Sequence, residues 1–401
     1  MSEVMIFDAV RTPRGRGRMG APLSTLRPHE LVGRLVDELR ARHGGAVEEA
    51  ERLVLSCVGQ VGDQGGHLAL VTRLAAGLPD EMVCRTIANY CVGGLSAIGD
   101  AAAAVRAGEV DLALAGGVEM MSRVPFLADH AALYDDPEVS RALHYVPVGV
   151  AADLLAHLRD VPRERLDEVT LESHRRAARA WAEGRHEGRV VPVRDDEGGI
   201  LLAADETVRP DLDPAKLAAL PPAFAEMGRE RYDAVIADAR PGLGPIEHRH
   251  TVAHCPPIAD GASLVLLGSE EAGRRLGLEP LARLAALTEA AGDPLVQLTA
   301  GEAAMTRLLE RTGLTLADMD VIEYMEAFAV VPVLFAADHE VDPDRVNPDG
   351  GHLAMGHPMG ATGAILVTAA VGELVRGLGE RVLVVAHGGM GVGAAALVTA
   401  A

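Results

Sequence analysis

Apolar runs alternate with stretches of helical period along the first third of the chain. Residues 3–10, largely apolar, are predicted as a strand, and 28–42 carry a helical pattern. "RLVLSCVG" (52–59) and "MVCRTIA" (82–88) are predicted as strands, with a helix over about 67–77 between them. A helix over 95–107 ends at Gly108, and "DLALAGG" (111–117) is a short buried strand entering a glycine turn. Strands alternating with helices predict parallel βαβ units and an α/β fold.

Residues 118–250 break this rhythm. They carry more charge and proline and hold amphipathic stretches such as "RERLDEVTLESHRRAARAWAEG" (163–184), as an insertion or lid does. "AEMGRERYDAVIADARPGLGPIEH" (225–248) is expected to be a surface excursion. The α/β pattern resumes at 259–277 and again at 307–329. There is also an internal echo. Residues 94–117 and 363–389 both run glycine, Ala-rich helix, glycine, charge, apolar strand, Gly-Gly. Cys91 precedes the first copy, and "GHPMGATG" with His357 precedes the second, so two similar halves would bring both helix starts to one centre.

At 401 residues the chain exceeds what one hydrophobic core usually holds. It is 49% hydrophobic but only 3% aromatic, so Ala, Val and Leu must build the core. The net charge of −21 argues against nucleic acid and anionic membranes as partners. The densest basic cluster, "RTPRGRGR" (11–18), is expected to be a surface loop or a subunit contact. No apolar run is long enough to span a bilayer, and the N-terminus lacks the features of a signal peptide. Four cysteines (Cys57, Cys84, Cys91 and Cys255) make no disulfide framework and no CxxC pair, which suits a reduced, cytoplasmic protein.

Cys91 lies between a strand and a helix start, where the helix dipole favours a thiolate nucleophile. The competing reading is a small buried core residue. Gly93 and Gly94 allow a tight turn and a close approach of substrate. His357, in a glycine-rich turn before the second echoing helix, has the chemistry to activate a thiol near neutral pH. It is equally readable as a turn histidine.

Taken in order, "DAVRTPRGRGR" (8–18), "CVGGLSAI" (91–98), "AGGVEMMSRVPF" (115–126), "DETVRPDLDPAKLAALPPAF" (205–224), "MEAFA" (325–329), "GGHLAMGHPMGATGA" (350–364) and "HGGMGVGAA" (387–395) resemble the motifs of the thiolases, the acyl-CoA C-acyltransferases. The resemblance runs nearly end to end. It implies a thiolase fold with two similar α/β domains around stacked central helices: an N-terminal domain from 1–119 and 250–271, a loop domain from 120–249 and a C-terminal domain from 272–401. It further implies an acyl-enzyme on Cys91, His357 as the base, and an oxyanion site made by the amides of Cys91 and His387. Arg209, Phe224, Ala327 and Phe328 would lie around coenzyme A. Acyl-CoA and CoA would be substrates, with no permanently bound cofactor and no metal, and the chain would form a homodimer or homotetramer.

Several positions depart from the family pattern. Aligned on Gly-Gly-Met-Gly, the family's second cysteine is Val385, and the following motif glycine is His387. Valine moves no proton; His387 stands in for the missing base if its ring turns inward, and faces a neighbouring subunit or solvent if not. Met325 replaces the asparagine of Asn-Glu-Ala-Phe, and a thioether offers no hydrogen-bond donor. Pro256 replaces a serine near the pantetheine, while His254 and Cys255 are added polar groups, with Cys255 read as core filling. The acylating parts are retained and the carbanion-handling parts changed. An acyl-CoA-dependent acyltransferase with an unusual second half-reaction follows. Ordinary thiolysis, transfer to a non-CoA acceptor, thioester hydrolysis and a non-catalytic acyl-CoA-binding subunit are its alternatives.

Overall fold

The computed structural model describes residues 3–401; Met1 and Ser2 lie outside the described residues. In the first half, strands β1 (Val4–Arg11), β2 (Arg52–Ser56), β3 (Val83–Ile87) and β4 (Leu112–Met120) alternate with helices α1 (Pro28–His43), α2 (Leu68–Ala75) and α3 (Gly93–Ala107). A long excursion carries α4 (Val148–Leu158) and α5 (Arg163–Ala182) before β5 (Ala259–Ser269) returns to the sheet. The second half runs β6 (Ala282–Ala291), α6 (Ala300–Thr312), β7 (Val321–Tyr324), α7 (Val330–Asp338), α8 (Thr362–Val375), β8 (Arg381–Gly388) and β9 (Val392–Thr399).

The strands line up as β7-β8-β9-β6-β1-β5-β4-β2-β3. The segments β1-β5-β4-β2 and β6-β9-β8-β7 repeat one topology, with α3 feeding β4 as α8 feeds β8, so the sequence echo is an architectural repeat. The sheet is less parallel than expected. Only β2–β3, β2–β4 and β7–β8 are parallel among these strands, whereas β5 runs antiparallel to both β1 and β4, and β9 antiparallel to β8 and β6. The cause is connectivity. The three residues Gly389–Gly391 joining β8 to β9 leave no room for a crossover helix, so the pair must be antiparallel.

Helices α3 and α8 pack on each other and on the sheet strands of both halves, while α6 covers the opposite face of β6 and β9. The apolar side chains of α3, Leu95 and Ile98 among them, are fully buried in the main core. Gly94 makes the central contact possible. A β-carbon there would sit 2.5 Å from the Ala364 amide nitrogen, and one at Gly363 would sit 2.3 Å from that of Leu95. A β-carbon at Gly93 would meet Ser56 Oγ at 2.0 Å. The role expected for Gly93 and Gly94, room for a substrate, is thus replaced by helix packing that brings the two helix starts together.

Two surface assignments change. Residues 225–239 are helical, and Tyr232, Val235 and Ile236 are buried with Tyr145, Val150 and Leu295 in a small core of their own. In "RTPRGRGR", Arg11 and Arg14 are interior. Arg11 pairs with Asp205 at 2.8 Å, and the two side chains are only 4% and 0% exposed. Arg14 also reaches Asp205 and donates to the Gly356 carbonyl at 3.0 Å. Arg16 and Arg18 alone turn outward. Among the described residues no helix is long and apolar enough to cross a membrane.

Candidate active site

Cys91 sits between β3 and α3, after Tyr90, whose φ of 45° marks a sharp turn. Its Sγ lies 3.1 Å from His357 Nε2. The His357 ring is held from its other side by Thr362 Oγ1, 2.7 Å from Nδ1, and its backbone amide donates to the Pro257 carbonyl at 2.9 Å. Gly356, at φ 90°, makes the turn that aims the ring. Glu119, at the end of β4, fastens the surrounding loops: it accepts from the amides of Val58 at 2.9 Å, Gly59 at 3.1 Å and Gly360 at 3.0 Å.

Cys91 and His357 each keep partial exposure, so the pair is reachable, yet burial governs its chemistry. Burial pushes the thiol up from about 9 to about 12, against the pull of the Gly389 and Cys91 amides; the nearby Glu119 carboxylate adds to the rise. Burial, with Arg14 beside it, lowers the His357 imidazole to about 3. The resting pair is therefore a neutral thiol facing a neutral imidazole, not the thiolate expected from the helix dipole. A dipole is worth about 0.3–1 kcal/mol at a typical site, too little to offset desolvation here. Alkylation of Cys91 by iodoacetamide should accordingly keep rising about tenfold per pH unit through pH 9, where an ordinary cysteine levels off. A plateau near neutral pH would reveal a preformed thiolate.

His387 is not at the sulfur. Side chains alternate along β8, and Gly388 is the residue turned to Cys91, its β-carbon position 3.4 Å from the Cys91 nitrogen. The His387 ring faces the other side, against Gly301 at the first turn of α6 and 5.0 Å from the Tyr324 ring. It is fully buried and lowered to about 3 by burial; the Leu298 carbonyl acts on it weakly, and neither ring nitrogen reaches hydrogen-bond geometry. Val385 shares that face. The amide brought to the sulfur belongs to Gly389, two residues beyond the one expected.

Phe224 and Phe328 meet edge-on at 6.2 Å, and a β-carbon at Gly149 would strike the Phe224 ring. Phe328 and its chain neighbour Ala327 are both buried. Arg209 is elsewhere: it lines an open cleft of about 280 Å³ with Arg16, Arg18, Thr207, Pro257 and Ile258. Ile258 pairs with His357 in an isolated backbone bridge, so the cleft borders the turn that carries this histidine. Met325 is buried, and Glu326 is committed to Ser173, Asn347 and the Leu353 amide. His254 bonds Asp167 at 2.7 Å, and the Cys255 thiol donates to the Thr251 carbonyl. Sequence reasoning missed Glu119, Thr362 and Arg14 as supports, although all three lie within motifs it quoted.

The thiolase N-terminal domain model matches residues 4–230, and the thiolase C-terminal domain model matches 278–400. The chain belongs to the thiolase family. The 3-oxoadipyl-CoA/3-oxo-5,6-dehydrosuberyl-CoA thiolase of Escherichia coli strain K12 is 34% identical over 98% of both chains. The steroid 3-ketoacyl-CoA thiolase of Mycobacterium tuberculosis is 32% identical over 94% of this chain and 89% of its own. Among solved structures, the Bacillus anthracis acetyl-CoA acetyltransferase superposes with a TM-score of 0.84 at 30% identity, covering 100% of this chain and 99% of its own. The dimeric peroxisomal thiolase of Saccharomyces cerevisiae also reaches 0.84, at 25% identity, covering 100% and 98%. The fold is the thiolase fold, and this thiolase-family chain is an acyltransferase by class.

Proposed function

We propose that this thiolase-family acyltransferase carries the acyl group on Cys91 and uses His357 as its one proton-transfer base. The contact of 3.1 Å between Cys91 Sγ and His357 Nε2 carries this reading. His357 takes the thiol proton as the sulfur attacks the carbonyl carbon of an acyl-CoA or 3-ketoacyl-CoA. The amides of Cys91 and Gly389 face the negative charge that develops there. The imidazolium then returns its proton to the departing thiolate or enolate, leaving the acyl-enzyme. His387 and Val385 face away from the sulfur, so His357 serves the second half-reaction as well.

CoA enters by the cleft of Arg16, Arg18 and Arg209, whose guanidinium groups suit phosphates on a chain of net charge −21. The relatives act, by name, on 3-oxoadipyl-CoA and other 3-ketoacyl-CoAs, and this substrate class is the one proposed. A homodimer or homotetramer is the proposed assembly. Product analysis with a 3-ketoacyl-CoA panel tests the reading. CoA-dependent formation of two shorter acyl-CoAs is the expected result; free acid released at a rate independent of CoA would instead establish a hydrolase.

A further inference from the structure

The turn between β8 and β9 carries the Gly389 amide, and the chain enters it through two glycines, Gly388 and Gly389. A glycine has no side chain to fix its direction, so such a turn needs anchors from outside. On the strand side Gly388 is tied to Val392, the last pair of the β8–β9 ladder. On the other side the turn is held by the loop 292–299, which joins β6 to α6. Gly292 donates its amide to the Gly391 carbonyl at 2.7 Å, and the Met390 amide donates to Gln297 Oε1 at 3.1 Å. Gln297 Nε2 in turn donates to the carbonyl of Val146, just before α4, at 2.7 Å.

Gln297 is 1% exposed, so both polar ends of its side chain depend on these two backbone partners. The partners also fix which end is which, since an amide N–H donates and a carbonyl accepts. Gln297 and Met390 are both non-glycine residues in the left-handed region, at φ 56° and 57°. L-residues seldom adopt that conformation, and it persists where surrounding contacts impose it. A β-carbon at Gly389 would lie 3.5 Å from Gln297 Oε1 and 3.7 Å from Cδ1 of the Tyr90 ring. Gly389 is thus flanked by the Gln297 amide and by the residue before the nucleophile. A β-carbon at Gly388 would lie 3.4 Å from the Cys91 nitrogen, so the braced turn stands directly against the nucleophile's own peptide.

We infer that Gln297 is a positioning residue for acyl transfer: it locks the Gly389–Met390 peptide so that the Gly389 amide points at the oxyanion formed on the acyl carbon at Cys91. This rests on the acyl-enzyme reading. Gln297 touches no reacting atom and moves no proton. Its effect falls on the tetrahedral state, where charge develops on the carbonyl oxygen, and not on the thiol and imidazole. Through Val146 it also ties the oxyanion turn to the start of α4.

Gln297→Met keeps the length of the side chain and removes both hydrogen bonds. It should slow acylation of Cys91 by about 10- to 100-fold, the cost of a displaced rather than a deleted oxyanion donor. Alkylation of Cys91 by iodoacetamide, which forms no oxyanion, should be unchanged. Hydrogen exchange resolved to single residues reads the brace without turnover: the Met390 amide should be protected in the wild type and exchange faster in the variant. Unchanged acylation in a folded variant, or equal losses of acylation and alkylation, overturns the proposal. Should the variant fail to fold, an unprotected Met390 amide in the wild type overturns it by itself. A wild type that no acyl-CoA acylates refutes the acyl-enzyme reading and this role with it, whereas a normally acylating wild type beside an unaffected variant refutes this role alone.

Discussion

Replacing His357 with alanine should slow acylation of Cys91 by about 10²–10⁴-fold, the usual contribution of a positioned general base. The electrostatics of the pair account for the size of the effect. With the thiol at about 12, roughly one sulfur in 10⁵ is ionised at neutral pH without help. His357 Nε2, 3.1 Å away, lets the proton leave as the bond forms, so the rare thiolate need not exist beforehand. Stopped-flow release of CoA during the first turnover reads this step. His387→Ala is the control: with its ring against α6, it should acylate within a few-fold of wild type. Equal losses in both variants would contradict the assignment of the two histidines.

Replacing Asp205 with asparagine should lower stability by about 3–5 kcal/mol, the cost of leaving a buried charge without its partner. Among the described residues, Asp205 is the one carboxylate paired with both Arg11 and Arg14, and it also accepts from the Arg14 amide at 2.8 Å. Burial alone would raise its pKa, yet the two guanidinium groups hold it far below the carboxylate range, a sign that attraction exceeds desolvation. Arg14 supports the Gly356 carbonyl, so the same variant should lose activity as the catalytic turn loosens. Urea unfolding followed by circular dichroism measures the first effect. A loss below about 1 kcal/mol, the range of surface pairs, would mean the ion pair contributes little.

Local pattern revealed much of this molecule. β1, α1, α3 and α5 fall where apolar period placed them, and Cys91 and His357, which precede the two echoing helices, meet as the repeat suggested. Long-range facts were not legible. The partner that draws Arg11 into the interior lies 194 residues away, so a basic cluster looked like surface. The side of β8 that His387 occupies depends on sheet register, and a step of one residue reverses it. The direction of β5 depends on where a long excursion re-enters the sheet. The state of Cys91 was misjudged for a different reason: the helix dipole is visible in sequence, whereas the desolvation that outweighs it belongs to the packed site.

Intact mass measured within seconds of mixing the protein with a panel of acyl-CoAs and 3-ketoacyl-CoAs, beside Cys91→Ala, tests the central claim most directly. The account predicts a mass gain equal to the transferred acyl group, absent from Cys91→Ala and discharged when CoA is added. A gain that persists in the variant, or CoA release from the wild type with no acyl-protein at any time, would contradict an acyl-enzyme on Cys91.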